Sequence, residues 1–180
     1  SELYDEERIQ CSTLEELRKS NFIKNEIDIL KIDTEGSEIP ILKGCGSFLD
    51  NEILCIKLEF KFLGHVNRDK FSEIDTLLSE KGFKLMNFTL NKSANGGLEG
   101  GDCFYIFDPS VKSKRICTRG QLKKLSIISY KLGFLDYLSM VPLFSDDKLD
   151  DKEIDLINQL AKSKIYIPYI FSFKKGFKRK

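Results

Sequence analysis

The sequence predicts an α/β fold followed by a helical extension, and three observations support that prediction. The segment 27–33, IDILKID, is an almost continuous run of apolar and β-branched residues that ends at an acid. Such a run is typical of a parallel-sheet strand that is buried on both faces. Apolar runs then alternate with amphipathic segments as far as residue 108, as in proteins built from strand–helix units. Two of those runs, 83–90 and 103–108, are joined by a polar, glycine-rich loop, which predicts an antiparallel hairpin.

Helix signals surround the first strand. Residues 12–24 begin with a Ser-Thr pair, and either hydroxyl can cap a short helix. After the strand, Gly36 permits a tight turn into a second helix, which Gly44 or Gly46 can end. A second apolar run predicts another strand over 52–60.

A change of composition divides the chain after Pro109. Before it, apolar residues on one face predict a helix over 69–81. After it, residues 110–135 contain seven basic residues and no acid. We therefore predict two domains, an α/β domain over 1–109 and a helical, basic and aromatic extension over 110–180.

The extension is predicted to contain two helices. Apolar residues step by three and four over 121–140, which predicts an amphipathic helix. The acidic stretch 146–155 starts a second helix that ends near Lys162. The basic segment 112–131 and the aromatic, basic tail 165–180 together suit peripheral contact with an anionic membrane. The alternatives are a solvated face for the basic segment and a cover over the sheet for the tail.

Composition and charge exclude several classes of protein. The 180 residues carry 29 Lys and Arg against 28 Asp and Glu, a net charge of +1, so no global field recruits nucleic acid. The sequence has no apolar run long enough to span a membrane and no signal-peptide pattern at its start, so we expect a cytoplasmic protein. Because the sequence does not begin with Met, we expect a processed product or a part of something longer.

The cysteines predict neither disulfides nor zinc. They are odd in number, widely spaced and without a C-x-x-C pair, which indicates reduced, buried thiols. The acids after the first strand also lack the spacing of an EF-hand, since the glycine comes too early. No metal site is predicted. The five cysteines are Cys11, Cys45, Cys55, Cys103 and Cys117.

Acids follow both of the first two strands. Asp33, Glu35 and Glu38 follow the first, and Glu59 lies at the predicted tip of the second. Ligands of open α/β sheets bind beyond the carboxyl ends of parallel strands, so this edge is the candidate site. The alternatives are a solvated turn for the first two acids and stabilisation of the helix N-terminus for Glu38. His65, the only histidine, is either an acid/base in the next loop or an ordinary surface residue.

The stretch 27–44, IDILKIDTEGSEIPILKG, resembles the FkbM family of S-adenosylmethionine-dependent methyltransferases. The TLEEL segment before it and the strand ending in Leu58-Glu59 after it agree in pattern, and the resemblance covers about residues 9–108. The residues that match most specifically are Lys31, Asp33, Glu35, Gly36 and Glu38.

The resemblance implies a partial Rossmann-like methyltransferase sheet. The strands of this chain correspond to strands 4-5-7-6 of the family's sheet, with the last hairpin antiparallel. It also implies methyl transfer from S-adenosylmethionine to a hydroxyl of a sugar, polyketide or similar small molecule. The family's glycine-rich cofactor turn does not occur in this sequence. The chain is therefore expected to be the C-terminal half of such a domain plus the extension, and incomplete for catalysis by itself.

The resemblance assigns roles to the acids as well. Asp33 and Glu35 are expected to position or deprotonate the acceptor hydroxyl, and Glu59 is expected to face the same crevice. Asp33 is expected to lie close to the methionyl end of the cofactor, and Gly36 is expected to be a second cofactor-binding residue.

Other functions and contacts remain open. The chain could serve as a non-catalytic interaction module, or belong to a membrane-peripheral enzyme of glycan or lipid modification. The stretch 95–102, NGGLEGGD, leads into a strand and not into a helix, so a hairpin loop is favoured over a phosphate-binding loop. In a half-sheet, strand 27–33 is an open apolar edge, and we expect either self-association through it or recruitment of the missing half of the domain.

Overall fold

The structure is a computed structural model, and the residues that it describes are 10–34, 36–62, 70–92, 96–111 and 115–163. The chain divides into two compact units, Ser1–Ile116 and Cys117–Lys180. The division therefore falls later in the chain than the change of composition after Pro109. Arg115 belongs to the first unit because its side chain contacts the backbone of that unit. Its guanidinium donates hydrogen bonds to the carbonyls of Ile53 and Glu52, at 2.8 Å and 3.1 Å, and lies over the Phe107 ring.

Within the described residues, a mixed four-stranded sheet forms the centre of the first unit. The order across the sheet is β1-β2-β4-β3. β1 is parallel to β2, and β4 is antiparallel to both of its neighbours. The predicted α/β class and antiparallel hairpin are confirmed, whereas the numbering as strands four to seven of a larger sheet stays a prediction. The strands are β1, Ile29–Ile32; β2, Cys55–Lys61; β3, Phe83–Lys92; and β4, Leu98–Phe107.

Among the described residues of the first unit, four helices accompany the sheet. Thr13 caps the first, because its hydroxyl accepts from the Glu16 amide while the Glu16 carboxylate accepts from the Thr13 amide. Gly46, with φ of 50°, separates the second helix from the third. The helices are α1, Leu14–Lys19; α2, Glu38–Gly44; α3, Ser47–Asn51; and α4, Phe71–Glu80.

Alternation along β2 places apolar side chains on one face and charged side chains, from Lys57 to Lys61, on the other, whose start at Cys55 is buried together with its partner Ile106. Ile56, Leu58 and Phe60 are buried on the apolar face. Helix α4 packs on that face, where the rings of Phe71 and Phe60 lie 4.8 Å apart. Tyr105 of β4, fully buried, donates its hydroxyl hydrogen to the Asp75 carboxylate of α4 at 2.8 Å. Part of the core of this unit therefore lies between the sheet and α4.

The first strand differs from its prediction. β1 covers Ile29–Ile32 and not all of 27–33, and it is an edge strand within the described residues. Ile32 is buried, but Ile29 is 56% exposed and Lys31 is exposed too. The prediction of burial on both faces is wrong here, because an unbroken apolar run does not report whether a neighbour covers each side of the strand.

The hairpin strands are longer than predicted. β3 runs two residues beyond 83–90, and β4 begins at Leu98 instead of residue 103. Glycine is depleted in strands, so the pattern around Gly100 and Gly101 predicted a loop where β4 already begins. Both glycines lie where the neighbouring backbones come very close, since a Cβ on Gly101 would lie 1.7 Å from the Thr89 carbonyl oxygen.

Residues 117–163, the described part of the second unit, form helices and the turns between them. The helix predicted over 121–140 is two helices, because Gly133 takes a left-handed conformation with φ of 77° and ends the first. A 3₁₀ turn, Val141–Phe144, follows the second. The helices described in this unit are α5, Arg119–Leu132; α6, Leu135–Met140; and α7, Asp151–Lys162.

Candidate active site

The turn between β1 and α2 is organised by Glu38. This side chain is only 4% exposed, and its Oε1 accepts three hydrogen bonds. Two come from the amide and the hydroxyl of Thr34, at 3.3 Å and 3.1 Å, and one from the Gly36 amide at 3.2 Å. Gly36 has φ of 124°, a conformation that suits glycine. Glu38 therefore fixes the backbone of the turn, a role beyond the helix N-terminal one considered from sequence.

Asp33 follows β1 directly and is accessible. Its carboxylate is 52% exposed, and its Oδ2 accepts a hydrogen bond of 2.7 Å from the Lys31 ammonium. That hydrogen bond is the main reason that the pKa of Lys31 is raised. Glu35 and His65 lie outside the described residues.

Glu59 lies within β2 and not at its tip, because the strand continues to Lys61. Its side chain is only 15% exposed and accepts a hydrogen bond of 2.7 Å from the Lys61 ammonium. Glu59 is thus less accessible than Asp33. The predicted position at the strand end is wrong by two residues.

The strand register aligns Asp33, Glu59 and a third acid, Asp102. Ile32 pairs with Leu58, so the residues that follow them, Asp33 and Glu59, come at the same level of adjacent strands. Glu59 in turn pairs with Asp102 of β4. We call Asp33, Glu59 and Asp102 the acidic row. Residues on opposite positions of neighbouring strands share a face.

Each member of the acidic row has its own lysine. The Lys57 ammonium lies 3.2 Å from a carboxylate oxygen of Asp102. The other two pairs, described above, are Lys31 with Asp33 and Lys61 with Glu59. Lys57 also lies 5.5 Å from the centre of the Phe104 ring. The mutual repulsion expected of clustered acids is therefore offset by an equal number of ammonium groups. Sequence reasoning missed Asp102 because it assigned this residue to the hairpin loop; alternation along a longer β4 would have found it.

The described residues contain no group of three His, Cys, Asp or Glu side chains arranged to hold a metal ion. Four of the cysteines are buried, as predicted, and Cys11 is exposed. Burial raises the pKa of Cys45 to about 11 and those of Cys55 and Cys103 to about 12. These three thiols are accordingly poor nucleophiles.

Only part of the two segments predicted to contact a membrane, 112–131 and 165–180, lies within the described residues. Residues 112–114 and 164–180 lie outside the described part of the chain. On α5, Arg119 pairs with Asp150 and Glu153, and Lys123 pairs with Glu153. Within the described residues, no helix is both long and apolar enough to cross a membrane. Peripheral contact stays a prediction.

The comparisons with known proteins bear on the segment that contains this turn. The family model described as the methyltransferase FkbM domain matches residues 1–85. The match includes Asp33, Gly36 and Glu59 but ends before Asp102. It confirms the resemblance to the FkbM family and supports a methyltransferase. No curated protein and no solved structure matches the chain significantly.

Proposed function

We propose that this chain, which carries the methyltransferase FkbM domain match over residues 1–85, is the acceptor-side part of an S-adenosylmethionine-dependent O-methyltransferase. Its substrate would be a hydroxyl of a sugar, polyketide or similar small molecule. The observation that supports this most is that the match covers the turn in which Asp33 directly follows β1.

The described residues suit one end of the cofactor. The half-exposed carboxylate of Asp33 is a fitting partner for a cationic group such as the methionyl ammonium. The Gly36 amide already donates to Glu38, so the contribution of Gly36 is its backbone conformation and not a hydrogen bond to the cofactor. We assign none of the described residues to the adenosine portion. When bound, S-adenosylmethionine supplies the methyl group.

Asp33 is also the described acid best suited to act on an acceptor. Holding a hydroxyl in line for attack can contribute roughly 7–11 kcal/mol, and a positioned base adds on the order of 10²–10⁴-fold. A hydroxyl that donates to Asp33 would leave Lys31 in place as a neighbouring cation. Glu59 is mostly covered and bound to Lys61, so we give it the role of orienting this region instead of taking a proton. Glu35 keeps its proposed role beside Asp33.

Calorimetric titration of S-adenosylmethionine into the 180-residue chain tests the proposal. We expect weak binding that Asp33→Asn reduces at least tenfold, because the substitution removes the negative charge that attracts the cofactor. Asp50→Asn is the matched control, since Asp50 is also half-exposed and lies 2.7 Å from a lysine, Lys81. Absence of binding would count against a cofactor site in this chain, and equal loss in both variants would contradict the role of Asp33.

An interaction module is the second candidate. It is favoured by the charge pairing of the acidic row, in which each carboxylate already has a lysine partner, and by the exposed edge of β1. A chain that binds no S-adenosylmethionine but associates through β1 would support this alternative.

A further inference from the structure

Two carboxylates of the acidic row are accessible, and they lie two strands apart. Asp33 and Asp102 are 52% and 40% exposed, whereas Glu59 between them is mostly covered. Neighbouring strands are about 4.8 Å apart, so roughly 10 Å separates the backbones at the two positions. β4 has a neighbouring strand on each side, β2 and β3, so Asp102 belongs to the interior of the described sheet.

The Lys31 ammonium interacts with both of these carboxylates. It donates a hydrogen bond of 2.7 Å to Asp33, which brings it to the level of the acidic row. Asp33 is the main reason that the pKa of Lys31 is raised, and the negative charge of Asp102 raises it further. Because charge effects fall with distance and are screened by solvent, the ammonium is close enough to Asp102 to be attracted by it.

Asp102 can hold a second cation beside Lys57. The Lys57 ammonium lies 3.2 Å from Oδ2 of Asp102 and also lies over the Phe104 ring. An ionised carboxylate has two oxygens and about four lone pairs, so one ammonium does not saturate it. Of the three lysines paired with the acidic row, Lys31 is the most exposed, and it is therefore the one most able to change partner.

A ligand at Asp33 would compete with Lys31 for the same carboxylate. The methionyl ammonium of the cofactor carries the same charge as Lys31, and an acceptor hydroxyl needs one of the oxygens that Lys31 uses. Either ligand weakens the bond between Lys31 and Asp33. A second carboxylate within reach lowers the cost of this exchange, because the ammonium moves toward another negative charge instead of into solvent alone.

We propose that Asp102 is a positioning residue for the Asp33 site: it shares the Lys31 ammonium with Asp33 and draws it aside when a ligand binds to Asp33. This role rests on the proposed function, since it supposes that Asp33 binds S-adenosylmethionine or its acceptor. Asp102 itself touches neither. It lies beyond residues 1–85, the part of the chain that the family model matches.

The sharing of Lys31 is tested without any ligand. At mildly alkaline pH, trace acetic anhydride acetylates the unprotonated fraction of an amine, and mass spectrometry gives the rate at Lys31. Removing either negative charge makes the ammonium easier to deprotonate, so both Asp33→Asn and Asp102→Asn should raise this rate, the first more than the second. Asp50→Asn is the matched control, because Asp50 pairs with a different lysine, Lys81, and should leave the rate at Lys31 unchanged.

Calorimetric titration of S-adenosylmethionine tests the role itself. Asp102→Asn should weaken binding by about two- to fivefold, the range for one exposed charge pair, because Lys31 then stays on Asp33. Asp102→Glu keeps the charge and should bind like the wild type. Lys31→Gln should strengthen binding, and in that background Asp102→Asn should have no further effect.

Two results would overturn the role of Asp102 while the wild type still binds S-adenosylmethionine. One is an unchanged acetylation rate at Lys31 in Asp102→Asn. The other is a loss of affinity from Asp102→Asn that persists in the Lys31→Gln background, since Asp102 would then act without Lys31. A wild type that binds no S-adenosylmethionine counts against the proposed function, and the role of Asp102 fails with it whatever the acetylation rates are.

Discussion

Glu38 accepts three hydrogen bonds from the turn that precedes its own helix, and its carboxylate is buried. Hydrogen bonds to a charged group contribute about 1.5–3 kcal/mol each. Without Glu38, the Thr34 and Gly36 amides would lose the partner that fixes them in this turn. The conformation of the turn that holds Asp33 therefore depends on Glu38, an acid to which we assign no contact with substrate or cofactor.

We expect Glu38→Gln to lower the free energy of unfolding by about 1–3 kcal/mol, because the amide keeps one oxygen but loses the charge. Urea unfolding followed by circular dichroism measures the difference. Glu73→Gln is the control, since Glu73 is an exposed residue of α4, and a surface change of this kind usually stays within about 0.5 kcal/mol. Equal stability of the two variants would show that Glu38 does not hold the turn.

The same residues show what sequence can and cannot predict about the candidate site. Asp33 and Gly36 were identified because an acid and a glycine after an apolar run form a recognisable pattern. The pairing of Lys31 with Asp33 follows from strand alternation. The alignment of Asp102 with Glu59 required the register of β4, which depends on contacts between strands distant in sequence. Such register is fixed by the packed faces and the turn, and no local signal reports it.

At the scale of elements, periodicity predicted which segments form strands and helices but not which of their faces are buried by neighbouring elements. The apolar run that forms β1 was correctly predicted as a strand, and its exposed edge follows from the sheet order. Glycines caused two opposite errors in the predicted bounds of the elements. Gly133 divides the predicted helix over 121–140, whereas Gly100 and Gly101 concealed the start of β4 although they lie inside it.

The close approach of β4 and β3 makes Gly101 a sensitive position. A Cβ there would lie 1.7 Å from the Thr89 carbonyl oxygen, so the backbone of β3 would have to move. Inserting atoms into a packed region costs typically about 1–3 kcal/mol, and because the obstacle is backbone we expect Gly101→Ala to reach at least the upper end of that range.

The same substitution in α5 should have the opposite sign. A Cβ on Gly120 would meet nothing nearer than the Thr118 hydroxyl oxygen at 3.8 Å, and alanine favours a helix over glycine by about 0.5–1 kcal/mol. Thermal unfolding of both variants measures the contrast. A Gly101→Ala protein as stable as Gly120→Ala would mean that β3 and β4 are not held as closely as described.

At the scale of the whole molecule, the chain consists of two compact units, each with its own buried side chains. Leu58 and Ile106 are fully buried in the first, and Leu122 and Leu138 are fully buried in the second. Composition predicted that the chain changes character near residue 110, because the basic residues and helical spacing begin there. It did not predict that Arg115 binds the backbone of the first unit, since that contact joins segments far apart in sequence.

Because each unit has its own core, we expect two unfolding transitions in calorimetry. Gly101→Ala should lower only the transition of the first unit. Glu153→Gln should lower only that of the second, because Glu153 accepts hydrogen bonds from the Arg119 guanidinium and pairs with Lys123. A single transition that both variants shift equally would show that the units unfold together.

Acid provides an independent check on the second transition. The hydrogen bond from Arg119, followed by that from Lys123, lowers the pKa of Glu153 to about 2, from an ordinary value of 4.5. The contribution of Glu153 to stability is therefore complete above pH 4.5 and is lost as the pH falls from there through about 2. The difference between the wild type and Glu153→Gln in the second transition should be largest near neutral pH and should shrink steadily over that window. A difference that stays constant down to pH 2 would mean that Glu153 acts through packing and not through its charge.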